Sequence, residues 1–357
     1  MNTHYRLPRF ARVAVALAFS ALAGHVAAAS FAYVANSGEL DYSDNTVSII
    51  DLGSNTVVGS IAIGTLGFTD FRAAALNPAA SRLYVSDAYG DNVSVIDTAN
   101  RQVVATIAVG DEPIGIAARN DGTQVYVVNQ QDSTVSFIDT ANNAVIDTVD
   151  VTGSSALVPH PDPIGLAANL AGTRLYVSNF ADDSVAVINL QTRMQVDTII
   201  VGTTSNPTPY GLAVNPAGTR VYVANSGEDT VSVIDTATDT VLDNIDVGSG
   251  PTGIVVDAAG RKVYVACQYD GSIWVIDAKT DLTTTIPDVG VNLAGIAVGP
   301  DGAHLYAADN GNNQVAVLNT SDDGVVTFVD VGVAPLAVGA FVQPGAIFAA
   351  GFEPGAK

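Results

Sequence analysis

Short apolar runs separated by turn residues fill this chain, and the stretch from Pro209 shows the arrangement in full. Tyr210 to Val214 is one run, Arg220 to Asn225 a second, Thr230 to Asp235 a third and Val241 to Val247 a fourth. Runs so rich in Val, Ile, Tyr and Thr predict strands, and no helical periodicity of useful length competes. Apolar groups stand on both alternating faces of several runs, which predicts sheets covered on two sides. The unit recurs. A Tyr-Val or Tyr-Ala pair begins at Tyr33, Tyr84, Tyr126, Tyr176, Tyr222, Tyr264 and Tyr306, 42 to 51 residues apart. A four-stranded unit of about 40 residues cannot bury its own faces, so such units must stack, and radial stacking gives a propeller. The expected fold is therefore all-β: a seven-bladed β-propeller with four antiparallel strands per blade.

Connection lengths sharpen this picture. The distance from the first-strand Gly (Ala73 in one unit) to the Tyr is the same in all six repeats that have both, as in Gly115 to Tyr126 and Gly211 to Tyr222. The distance from the end of the third strand to the end of the fourth is also fixed, as in Asp51 to Gly64 and Asn319 to Gly332. All extra length falls in the other two connections, as insertions at 37–45, 65–72, 153–164 and 203–210. Turns alternate between the two ends of an up-and-down sheet, so these variable connections are expected on one face, which marks a candidate binding surface. The chain begins at a second strand, Phe31 to Asn36, and ends with a spare first strand, Pro335 to Val342. That last strand is expected to pair into the N-terminal blade and close the ring.

At Tyr222-Val223-Ala224-Asn225 with Val231-Ser232-Val233-Ile234-Asp235, and at Tyr126-Val127-Val128-Asn129 with Val135-Ser136-Phe137-Ile138-Asp139, the chain resembles the YVTN family of β-propeller repeat proteins. The resemblance covers about residues 31–342. It implies a seven-bladed propeller, commonly exported or at a cell surface, with binding or adhesive roles. Tyr306-Ala307-Ala308-Asp309 and Cys267 depart from the repeat pattern.

Composition changes the picture at the termini and in the charge. Arg6, Arg9 and Arg12 precede an apolar run and then Ala27-Ala28-Ala29, so residues 1–29 read as a secretory signal peptide, followed by a propeller over 30–343 and a tail over 344–357. Export to the periplasm, cell surface or medium is expected, with no integral membrane span after cleavage. The tail contains Ile347-Phe348-Ala349-Ala350-Gly351-Phe352, too short to cross a bilayer. The whole chain has a formal charge of −22, and all three Arg of the leader are lost on cleavage. So acidic a surface repels phosphate backbones, excluding nucleic acid as a partner and favouring cations or basic partners. The lone Cys267 excludes an internal disulfide, and the absence of Cys-x-x-Cys-His excludes covalent haem.

Candidate chemistry is sparse. The residue before each first-strand Gly or Ala should face the central channel: Arg72, Ile114, Ile164, Tyr210, Thr252, Ala294 and Leu336. Only Arg72 and Tyr210 stand out, as groups able to orient an anionic or aromatic ligand. Asp70 lies beside Arg72 in its insertion. His160 and Asp162 sit in the longest insertion between Pro159, Pro161 and Pro163, whose restricted backbone could present them rigidly. Glu39, Asp41 and Asp44, with Tyr42, are oxygen-rich enough to hold Ca2+, although EF-hand spacing is absent. No Ser-His-Asp spacing surrounds His160, and no catalytic residue is assigned. Two function classes remain open: an exported, monomeric binding scaffold that holds a protein or glycan on the insertion-bearing face, and a propeller-type hydrolase or lactonase acting at the channel mouth.

Overall fold

The computed structural model describes residues 31–37, 46–63, 71–154, 160–204 and 206–336; the leader, the tail and residues 38–45, 64–70, 155–159 and 205 lie outside this description. The fold is the expected all-β, seven-bladed propeller, in which each blade is a four-stranded antiparallel sheet. Six blades are built from four consecutive strands, beginning at Phe71–Leu76, Pro113–Ala118, Pro163–Ala168, Pro209–Val214, Pro251–Val256 and Leu293–Val298. The seventh is composite. Its inner strand is Pro335–Leu336, paired antiparallel with Phe31–Asn36 through Ala35 to Leu336 and Asn36 to Pro335, and Thr46–Asp51 and Thr56–Ala62 complete it. The last described strand thus closes the ring on the first.

The repeat motif has a clear physical basis. Tyr84, Tyr126, Tyr176, Tyr222, Tyr264 and Tyr306 are among the largest fully buried side chains, and each fills the space between two blades. Tyr126, for example, packs in one cluster with Phe137 of its own blade and Leu175, Val177 and Ile188 of the next. The Asn three positions later ends the second strand and staples it to the third. Asn129 Nδ2 donates to Thr134 Oγ1 and Ser136 Oγ, both at 2.9 Å, and Asn225 makes the same pair of bonds to Thr230 and Ser232. Tyrosine therefore supplies inter-blade burial and asparagine fixes the strand end.

The invariant turns form one face of the ring, and hydrogen bonds between them explain their fixed length. Thr98, Thr140 and Thr236, in third-to-fourth-strand turns, each donate at 2.7 Å to a carbonyl of the first-to-second-strand turn of the same blade. The turn aspartates close on their own backbone: Asp97 Oδ1 accepts the Ala99 and Asn100 amides. Neighbouring blades are clamped on this face by Arg174 to Asp239 (2.6 Å), Arg220 to Asp281 (3.5 Å) and Lys262 to Asp323 (3.0 Å). A change in turn length here would break several bonds at once.

Candidate binding face

The two variable connection types meet on the opposite face, where backbone hydrogen bonds interlock them. Six of the links from a fourth strand to the next blade are caught at their start, and most of these again at their end. At its start, the amides of Val109, Val151, Val201, Val247, Val289 and Val331 donate to the second-to-third-strand turn of their own blade, at 2.8 to 3.0 Å. At its end, the carbonyls of Glu112, Asp162, Thr208 and Gly250 accept an amide from the next blade's turn, from Gln130, Phe180, Ser226 and Gln268. These end residues adopt left-handed backbone: φ is 55° at Glu112, 50° at Asp162 and 43° at Thr208. Pro161-Asp162-Pro163-Ile164-Gly165 thus occupies the place of Asp111-Glu112-Pro113-Ile114-Gly115, and the extra residues of each long link all precede this constant segment.

Acidic side chains of the next blade hold the links down. Asp132 Oδ2 accepts the Asp111 amide at 2.8 Å, Asp270 Oδ2 accepts the Ser249 amide at 2.9 Å, and Asp309 Oδ1 accepts the Val291 amide at 2.8 Å. Asp182 takes the Ser154 amide at the start of the longest insertion. Glu228 gathers the Thr203 and Thr204 amides, at 2.7 and 2.5 Å, at the start of the 203–210 insertion. Burial opposes ionisation of Glu228, but the Thr204 and Thr203 hydroxyls and amides prevail and keep its carboxyl below the usual range. The sequence contains the signal for this arrangement, an acidic residue three positions after the strand-ending Asn: Asn129 and Asp132, Asn179 and Asp182, Asn225 and Glu228.

The structure distributes the sequence candidates differently from one another. His160 is exposed, and Asp162 is half-buried with its carbonyl serving the blade junction; among the described residues no hydrogen bond or ion pair joins their side chains. Tyr210 packs edge-on against Phe180, ring centroids 6.5 Å apart, beside the inner strand. Arg72 lies in the strand Phe71–Leu76, with its side chain outside the described residues, as are Glu39, Asp41, Tyr42, Asp44 and Asp70. Among the described residues no group of three or more His, Cys, Asp or Glu could hold a metal ion. Cys267 is fully buried, and burial pushes its thiol up to about 12.

The residues expected at the channel mouth form a packed waist. Ile114, Ile164 and Thr252 are buried. The glycine that follows this position lets adjacent inner strands touch, because a Cβ on Gly165 would lie 2.4 Å from the Tyr210 carbonyl and one on Gly211 2.2 Å from the Thr252 carbonyl. Ser178 Oγ donates to the Tyr210 carbonyl at 2.5 Å across the same junction. The accessible polar groups lie above this waist. Gln268 Nε2 donates to Asn292 Oδ1, Asn292 Nδ2 to Asn310 Oδ1 at 2.8 Å, and Asn310 Nδ2 to the Pro335 carbonyl at 3.4 Å, so a chain of carboxamides spans three blades.

Charge separates sharply between the faces. Every described Lys or Arg side chain belongs to the invariant face: Arg82, Arg174, Arg220 and Lys262 lead second strands, and Arg101, Arg119, Arg193, Arg261 and Lys279 occupy its turns. The variable face carries Asp91, Asp111, Glu112, Asp132, Asp183, Glu228, Asp229 and Asp270 with no described Lys or Arg among them. The carboxyls respond accordingly. Partial desolvation and the neighbouring Asp91 and Asp132 raise the exposed Asp111, and burial, Asp182 and Glu228 raise Asp183. On the invariant face, the Ala237 and Thr238 amides lower Asp235, and the Asn100 amide leads the donors that lower Asp97.

Fold and face together define a seven-bladed propeller with one locked face and one elaborated, acidic face. Residues 73–308 match the SMP-30/Gluconolactonase/LRE-like region, and the chain belongs to that β-propeller family. Among solved structures it is similar to Kuenenia stuttgartiensis hydrazine synthase, at 21% identity and a TM-score of 0.66 over 78% of this chain and 92% of that one. It is also similar to a functionally unknown protein from Desulfotomaculum acetoxidans DSM 771, at 17% identity and a TM-score of 0.70 over 86% of this chain and 99% of that one. Identities this low speak for the fold alone. No curated protein matches the chain.

Proposed function

We propose that this protein is an exported binding scaffold that engages a protein or glycan partner on its variable face. The observation that carries the reading is the placement of length variation. Insertions at 153–160 and 203–206 stand between backbone pins that hold the rest of each link, while the opposite turns are bonded to one another and do not vary. The leader-like residues 1–29 and the likeness of the repeats to YVTN proteins support export to the envelope or cell surface, with the mature ring acting as a monomer.

The test compares the mature protein with a variant lacking residues 153–160, which joins Thr152 directly to Pro161 and reproduces the short link from Gly110 to Gly115. Both are used to capture partners from envelope extract. A partner retained by the parent and lost by the equally folded variant supports the scaffold. Equal capture by both moves the partner off this face.

Family membership favours a second reading, hydrolysis of a lactone or ester above the waist, where Glu112 and Asp162 stand. A panel of lactones with and without divalent cations tests it. Turnover lost in Glu112→Gln would replace the scaffold reading with an enzymatic one; absence of turnover leaves the scaffold as the account.

A further inference from the structure

We infer that the partner of the variable face is a basic polypeptide, an inference that rests on the binding reading above. Its first support is charge complementarity. The variable face presents exposed Asp91, Asp111, Asp132, Asp229 and Asp270, with half-buried Glu112, on the turns and links of successive blades, and every described basic side chain lies on the other face. Carboxylates spread over several blades suit a ligand with repeated positive charges along its length better than a single metal ion.

Independent support comes from beneath the face. Asn36, Asn129, Asn179 and Asn225 are fully buried at its strand ends, with Nδ2 committed to third-strand hydroxyls. Their Oδ1 atoms accept no hydrogen bond from the described residues. These buried carboxamide oxygens leave their dipoles uncompensated at the same strand ends that carry the acidic turns. Asp111 and Asp183, raised first by desolvation and then by neighbouring carboxylates, agree with acidic groups crowded on this face.

Two further features favour a polypeptide over a simple polyamine. Tyr89 and Tyr269, 56% and 73% exposed on second-to-third-strand turns, offer rings on which guanidinium groups stack. The Gln268, Asn292 and Asn310 carboxamides supply donors and acceptors that match peptide amides. A polyamine lacks the planar guanidinium that stacks flat on a ring and the paired donor and acceptor of a peptide group.

The experiment titrates the mature protein with a labelled oligoarginine peptide, an oligoglutamate of equal length and spermine. It uses the parent, a variable-face variant (Asp111→Asn, Glu112→Gln, Asp229→Asn, Asp270→Asn) and an invariant-face variant with the same charge removed (Asp121→Asn, Asp257→Asn, Asp301→Asn, Asp322→Asn). All three are first shown to melt cooperatively. Oligoarginine should bind the parent, weaken on adding salt, and bind the variable-face variant at least about tenfold more weakly, with about twofold or less change in the invariant-face variant. Equal weakening in both variants, or displacement by spermine at equal charge concentration, would reduce the effect to bulk charge and overturn the inference. If oligoarginine does not bind while envelope capture still depends on residues 153–160, the basic partner is wrong and the scaffold reading stands.

Discussion

Replacing Gly211 by Ala probes the waist on which the ring depends. The added Cβ would lie 2.2 Å from the Thr252 carbonyl oxygen, an atom of the neighbouring inner strand's backbone that cannot swing away as a side chain would. An ordinary carbon–oxygen contact is roughly 1 Å longer, so two blades must part, and overpacking of this kind costs about 1–3 kcal/mol. Gly211 has no left-handed backbone, so the whole cost is steric. Gly218→Ala provides the matched control: its φ of +69° strains an alanine, but its Cβ would meet nothing within 4 Å, and left-handed strain costs about 1 kcal/mol. Thermal melts followed by circular dichroism read both. For a domain of this size about 2 °C per kcal/mol is expected, so Gly211→Ala should fall by about 2–6 °C, further than Gly218→Ala at about 2 °C. A Gly211→Ala protein that melts with or above Gly218→Ala would refute the close strand contact.

Ending the chain at Gly332 removes Pro335–Leu336 and leaves the inner edge of Phe31–Asn36 unpaired, so it should lower the melting temperature or abolish soluble protein; an unchanged curve would contradict ring closure. Asp183→Asn should stabilise the protein at neutral pH. Burial, Asp182 and Glu228 raise its folded pKa, so its ionised form is penalised as pH rises through that value, and the gain should vanish below about pH 4 in parallel melts. A gain that persists in acid would point to a cause other than ionisation. Cys267, with its thiol pushed up to about 12 by burial, should resist a thiol reagent in the native state and react at once in denaturant; rapid native labelling would contradict its burial.

Much of this architecture is legible in the chain because each feature has a local cause. A buried Tyr and a strand-ending Asn recur because every blade meets its neighbour in the same way, and equal spacing from Gly115 to Tyr126 and from Gly211 to Tyr222 follows from hydrogen-bonded turns. The composite blade is visible as a spare first strand. The roles of particular site residues are harder to see. Asp162 appears in sequence as part of a proline-stiffened loop, whereas its carbonyl bond to Phe180 and left-handed backbone identify a junction shared with Glu112 and Thr208. Ile114 and Thr252 look like channel-mouth residues until the glycine contacts show the strands packed at that level. The carboxamide chain from Gln268 to Pro335 joins residues far apart in sequence and has no local signature. The segregation of charge, by contrast, can be read once each Lys and Arg is assigned to a turn type, because those on the invariant face serve its blade clamps and turns.

Hydrogen exchange of the mature protein with and without its captured partner tests the central claim most directly. The account predicts new protection in the links and turns of the variable face, around 109–112, 130–133, 160–162 and 203–208, with no change at 119–123 or 236–239. Protection confined to those invariant turns, or to the outer strands, would contradict it.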